Sequence, residues 1–137
     1  MSTTEQPSSL WPKDLVDRAV EAPIAILKEQ GSELQKLTKN MLKGEPRVTK
    51  VPGEDGDRLI VSFVVVAPAL ADYEVELLSF EQSTSLYPIE VSSMGFKLPK
   101  SRISSAEQFR HYLRGKLATP KVKNVISSLL AQAKAIS

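Results

Sequence analysis

His111 is the only histidine in this 137-residue chain, and there is no cysteine. One imidazole cannot build a multi-histidine metal site. The flanking apolar residues Phe109 and Leu113 place position 111 off the apolar face of its helix, as a solvated side chain. A Ser–His–Asp relay would need His111 and a nucleophile elbow, and no serine stands in a Gly-x-Ser-x-Gly run. The missing thiols exclude disulfides, thiolate catalysis and cysteine-ligated zinc, and they fit a reducing compartment.

Carboxylates offer the next chemistry. Glu54, Asp55 and Asp57 crowd one turn, but a calcium hand needs oxygen ligands at fixed intervals across a long loop and a bidentate acid at its end. Arg58 and Leu59 follow at once in a strand-like pattern, so this is a solvated hairpin turn. Glu74 and Glu76 share one face of a strand about 6.5–7 Å apart, a spacing open to acid–base work, with Glu81 further along. Alternating acids are also the ordinary wet face of a half-buried strand, and nothing nearby makes that face a cleft. The glycines at 31, 44, 53, 56, 95 and 115 form no phosphate-cradling run. The sequence therefore calls for no catalytic residue, no metal and no cofactor.

Charge is the sharper signal. From Lys97 to Ser137 nine bases face one acid, Glu107, for a net +8; the first 96 residues hold nine bases and fifteen acids, a net −6. The candidate anionic-partner patch is Arg110, Arg114, Lys116, Lys121 and Lys123, around the turn between two helices. Gly115 to Pro120 even offers a helix-turn-helix-like corner. The helix that follows, however, carries only Lys121, Lys123 and Lys134 as bases and lacks an Arg/Asn/Gln reading face. Pairing of this basic end with the acidic sheet of the same molecule is the competing explanation.

The elements that position these residues follow from periodicity. Residues 1–10 read as a flexible lead-in, and 11–137 as a single domain. Trp11-Pro12 opens a short amphipathic piece with Leu15, Val16, Ala19 and Val20 on one face. A long helix is predicted from Pro23 to Leu42, on the stripe Ile24, Leu27, Leu34, Leu37 and Met41, with Gly44 terminating it. Gly31 falls on that stripe, where it marks either a bend or a close approach of the sheet. Four strands follow as an antiparallel meander: Arg47–Val51, Arg58–Ala67, Tyr73–Gln82 and Leu86–Ser92. The second is apolar on both faces, the pattern of a central strand covered by helices. Pro88 predicts an edge position for the fourth. Met94 to Arg102 reads as a loop. Ser104 with Glu107 forms a capping-box pair for a helix, and Thr119-Pro120 opens the last one.

The fold class is thus α+β: a four-stranded antiparallel meander flanked by N-terminal and C-terminal helices, in a two-layer sandwich. The order is similar to that of ubiquitin-conjugating and RWD-type interaction folds at the level of topology, with no motif behind the likeness and no cysteine for conjugation chemistry. The first ten residues lack the basic start and apolar run of a secretion signal, and Val61 to Leu70 is too short to span a bilayer, so a soluble cytoplasmic protein with no membrane partner is expected. The leading function is a non-enzymatic protein-binding or adaptor domain, its partner a second copy or another protein. Leu86, Met94, Phe96 and Leu98 are the candidate interface, as apolar residues in irregular segments near an edge strand. The alternative is a nucleic-acid binder using the basic C-terminal helices. Salt separates the two: the wild type is expected not to bind DNA in about 150 mM salt. Tight binding there, abolished by reversing Arg110, Arg114 and Lys121 together, would put nucleic acid first.

Overall fold

A computed structural model describes residues 9–17, 21–93 and 100–137. Helix α1, Pro23–Leu37, starts with proline in its first turn, where the missing N–H is no loss. It ends five residues before the predicted Leu42. Thr38, buried, is the reason: its hydroxyl lies 2.9 Å from the Leu34 carbonyl and accepts the Leu42 N–H at 3.0 Å. Lys39 and Asn40 then reverse the chain with φ of 52° and 70°. Asn40 suits this left-handed geometry, so termination falls there and Gly44 is released into a strand.

That strand is β1, Lys43–Val51, four residues longer at its start than expected. It is followed by β2, Arg58–Ala67, β3, Tyr73–Gln82, β4, Ile89–Ser93, and β5, Ser101–Ile103. The sheet order is β1-β2-β3-β4-β5, and every neighbouring pair is antiparallel. The meander is therefore real but has five strands, not four. Periodicity could not find β5, because three residues are too few to show alternation. Its pairing makes β4 internal, which corrects the edge assignment. Pro88 precedes β4, outside the ladder, and the edges are β1 and β5.

Two helices close the chain, α2 (Ala106–Leu117) and α3 (Pro120–Ile136). The cap of α2 lies one residue later than predicted. Ser105 accepts the Gln108 N–H at 3.1 Å, and the Gln108 side chain accepts the Ser104 N–H at 2.7 Å, so glutamine rather than Glu107 closes the box. Thr119 caps α3 as expected, accepting the Val122 N–H at 3.4 Å. Among the described residues no helix is long and apolar enough to cross a membrane.

All three helices share one sheet face and one core. Ile26 and Leu27 of α1, Phe109 and Leu113 of α2, and Val122 and Leu129 of α3 cluster with Val61, Phe63, Val65 and Phe80. Phe109 meets Phe80 edge-on, with centroids 5.9 Å apart. The tightest contact is backbone on backbone. A Cβ on Gly31 would lie 2.0 Å from the Gly44 carbonyl oxygen, and one on Gly44 would lie 2.7 Å from the Gly31 Cα. Gly31 thus serves close approach.

The opposite sheet face has no helix in this core, yet Val64 and Val66 of β2 are buried there. Their cross-strand neighbours are Glu45, Lys43, Glu76 and Glu74. Arg47 bridges Glu74 at 2.6 Å and Glu45 at 2.9 Å, and Lys43 reaches Glu45 at 3.5 Å. The aliphatic stems of these charged side chains supply the cover that helices would otherwise give.

The glycine contact has a measurable sign. Gly31→Ala gains helix propensity but drives a methyl into a backbone carbonyl, so it should destabilise by about 1–3 kcal/mol, the usual cost of overpacking. Gly115→Ala in α2 meets nothing within 4 Å and should stabilise by up to about 1 kcal/mol. Urea unfolding of both variants checks this; equal effects would mean α1 does not rest on β1 through bare backbone.

Candidate docking groove

Because α1 seats on β1, at one edge of the sheet, and α2 contacts β5 at the other, the helices do not close over the centre. A groove of about 380 Å³ remains between α1 and α3. Its floor is Phe63, Val65 and Leu77, almost wholly buried, so the accessible surface comes mainly from the walls. Leu34 and Leu37 of α1 form one wall; Leu117, Val122 and Ile126 form the other. Leu37 is 81% exposed. A smaller hollow of about 180 Å³ between α1 and α2 shares Gln30 and Leu117 with the groove and continues it past Ile26 and Leu113.

The rims are polar and of mixed sign. Glu33 stands on the α1 side and Lys123 on the α3 side, with Arg114 at the smaller hollow. Arg114 and Lys123 are exposed and make no ion pair with the described residues.

The other predicted cations have different surroundings. Arg110 donates to Glu21 through Nε at 3.1 Å and through Nη2, and to Glu29 through Nη1 at 2.8 Å. It ties α2 to α1 and to the chain two residues before it. The Tyr87 hydroxyl donates to the Glu21 carbonyl at 2.9 Å and pins the same point. Hydrogen bonds from Arg110 hold the Glu21 carboxyl below the usual glutamate range, against a smaller opposing effect of burial. The Arg110 guanidinium is raised by its bonds to Glu21 and then Glu29. Lys116 lies over the Tyr112 ring, 5.6 Å from its centroid. Lys121 is exposed in the first turn of α3. Arg110 thus pairs with acids of α1 and its lead-in, while the sheet acids Glu45 and Glu74 pair with Arg47 of their own sheet.

Leu86 is half-buried in the turn before β4, with φ of 57°. Met94, Phe96 and Leu98 lie outside the described residues. His111 is exposed on α2. Asp57 pairs with Lys50 across the first hairpin at 3.5 Å, as a solvated turn allows. Among the described residues no group of three or more His, Cys, Asp or Glu could hold a metal ion. Sequence reasoning placed Leu34 and Leu37 on an apolar helix face but had no means to see the groove. Helical spacing says which side a residue is on, not whether a neighbouring helix reaches it. No family model, curated protein or solved structure matches this chain.

The Arg110–Glu21 link carries a pH signature. A carboxyl whose folded pKa is depressed adds stability above its unfolded value, and that stability is lost as pH falls through the folded one. For Glu21 the loss lies at and below the ordinary value of 4.5. Thermal melting should therefore show a flatter acid limb in Glu21→Gln than in the wild type. Identical limbs would mean that the pair is solvated and contributes nothing.

Proposed function

We propose that this chain is a non-enzymatic protein-binding domain whose groove between α1 and α3 receives apolar side chains of a helical partner. The observation that carries the reading is the groove itself: apolar walls, a floor reaching the central strand, and polar residues only at the rims. Its volume of about 380 Å³ falls within the range of sites that bury several apolar groups. From Gln30 to Leu37 the α1 wall runs about 10 Å, or two helical turns. That length suits a partner helix presenting anchors at i, i+3 or i+4, and i+7. The nucleic-acid reading draws less support, because Arg110 is engaged by two carboxylates and Lys116 by a ring.

Selection of helical peptides from a displayed library against the full chain tests the proposal. Selected peptides should carry apolar anchors at those spacings. They should lose at least about tenfold in affinity, a change of about 1.4 kcal/mol, against Leu37→Glu, with melting unchanged because Leu37 is exposed. Peptides indifferent to Leu37→Glu would remove the groove as the binding surface.

A further inference from the structure

The chain carries a second unpartnered apolar feature. Between Ser9 and Asp17, Leu10 is 99% exposed, Trp11 74%, Leu15 46% and Val16 88%. Four large apolar side chains within seven residues, all facing water, is the composition of a docking segment. The segment is not without shape: the Leu15 N–H donates to the Pro12 carbonyl at 3.3 Å, and a single 3-10 turn spans Leu15–Asp17. Trp11 is the only tryptophan of the protein. Its backbone N–H donates to the Ser9 hydroxyl at 3.2 Å, while its side chain is left in solvent.

Resting on the reading of the groove as a docking site, with an irregular segment in place of a helix, we infer that the groove between α1 and α3 binds the Leu10–Val16 segment of a second copy of this chain, each copy giving its segment to the other. Three observations favour a second copy as the occupant. First, the chain does not fill its own groove: Leu37 and Trp11 are both exposed in the same molecule. Second, Glu21 is pinned by Arg110 and Tyr87, beside the N-terminal end of α1, whereas the groove is lined by the other half of that helix, Gln30 to Leu37. The segment therefore joins the fold at the end of α1 away from its own groove. Trp11 stands ten residues before Glu21, a reach of at most about 36 Å that spans a neighbour's groove and its own alike, so concentration dependence decides between them. Third, charges match. Lys13 and Asp14 separate the apolar pairs of the segment, and the groove offers Glu33 on one rim with Lys123 on the other. Reciprocal exchange is a closed two-fold arrangement that satisfies both segments and both grooves at once. It removes two Trp11 side chains from water, each about 150–250 Å².

The single tryptophan makes the test direct. In the full-length wild type, sedimentation should give a dimer at high protein concentration, with Trp11 emission moving to the blue as the dimer forms. Trp11→Ser, and Leu37→Glu with Lys123→Glu, should each be monomeric; all three positions are exposed, so melting of the monomer should not change. Mixing the two variants should restore one of the two exchanges. The emission of Trp11 in the groove variant then shifts blue as the tryptophan-free variant, whose groove is intact, is added. A wild type that stays monomeric with solvent-like emission overturns the exchange. So does blue emission that is independent of concentration in a monomer, which means docking in the same chain, and so does a dimer that survives both variants. The groove reading is judged separately. If Trp11→Ser still binds the selected helical peptides, only the second-copy occupant falls; if it does not, both fall.

Discussion

The arrangement of this protein depends on two glycines that face each other across the first helix and the first strand. Gly31 and Gly44 let α1 rest on β1 with no side chain between the backbones. The aromatic ring of Phe63 lies so close beside them that a Cβ on Gly44 would meet its Cζ at 2.9 Å. A helix held this close to an edge strand cannot also cover the middle of the sheet. The middle is left to α3, which packs on β2 and on the short turn Pro68–Leu70, and to α2, which packs toward β5. The groove is the space this division leaves, and its floor includes the same Phe63 that fits against the glycine pair.

The two faces of the sheet solve the same burial problem differently. On one, helices exclude water from Val61, Phe63, Val65, Phe80 and Val91. On the other, Val64 and Val66 are buried to 6% and 3% exposure beneath a lattice of Lys43, Glu45, Arg47 and Glu74. Each of these ion pairs is partly exposed, and such pairs contribute little through charge alone, typically about 0–1 kcal/mol. Their value here is the apolar stem that each long side chain lays over a valine, with opposite charges keeping the stems in place. The register shift between Phe63 and Val64 leaves Leu77 as the extra residue of β3, so that Leu77 and its neighbour Leu78 are both buried.

The uneven charge of the chain resolves in part within the molecule. Arg110 belongs to the basic third of the sequence and Glu21 and Glu29 to the acidic remainder, and their contact holds α2 against the start of α1. Lys116 lies over an aromatic ring of its own helix. Arg114 and Lys123 look outward along the groove. The basic end is therefore not one uniform surface. Part of it holds the helices together, and part gives the groove one charged rim.

Local chemistry in the sequence was enough for the α+β class, the antiparallel meander, the three main helices, the double-sided apolar character of Arg58–Ala67 and the Thr119 cap. Each rests on neighbours within a few positions: a hydrophobic period, a proline in a first turn, a hydroxyl three residues before an N–H. Where expectation and structure part, the end of α1 and the cap of α2 are just as local, and the other points share the opposite property. Termination of α1 at Leu37 turns on a buried Thr38 hydroxyl bonded to Leu42 and on two left-handed residues that periodicity does not register. The fifth strand exists because Ser101–Ile103 finds β4, and three residues have no pattern of their own. The outer cover of Val64 and Val66 needs β1 and β3 to bring charges from 19 and 8 residues away, Glu45 to Val64 and Val66 to Glu74. The groove needs helices 80 residues and more apart to stand side by side without closing. Sequence spacing states which way a side chain faces relative to its own element. Whether anything stands opposite it is decided only when distant elements share space.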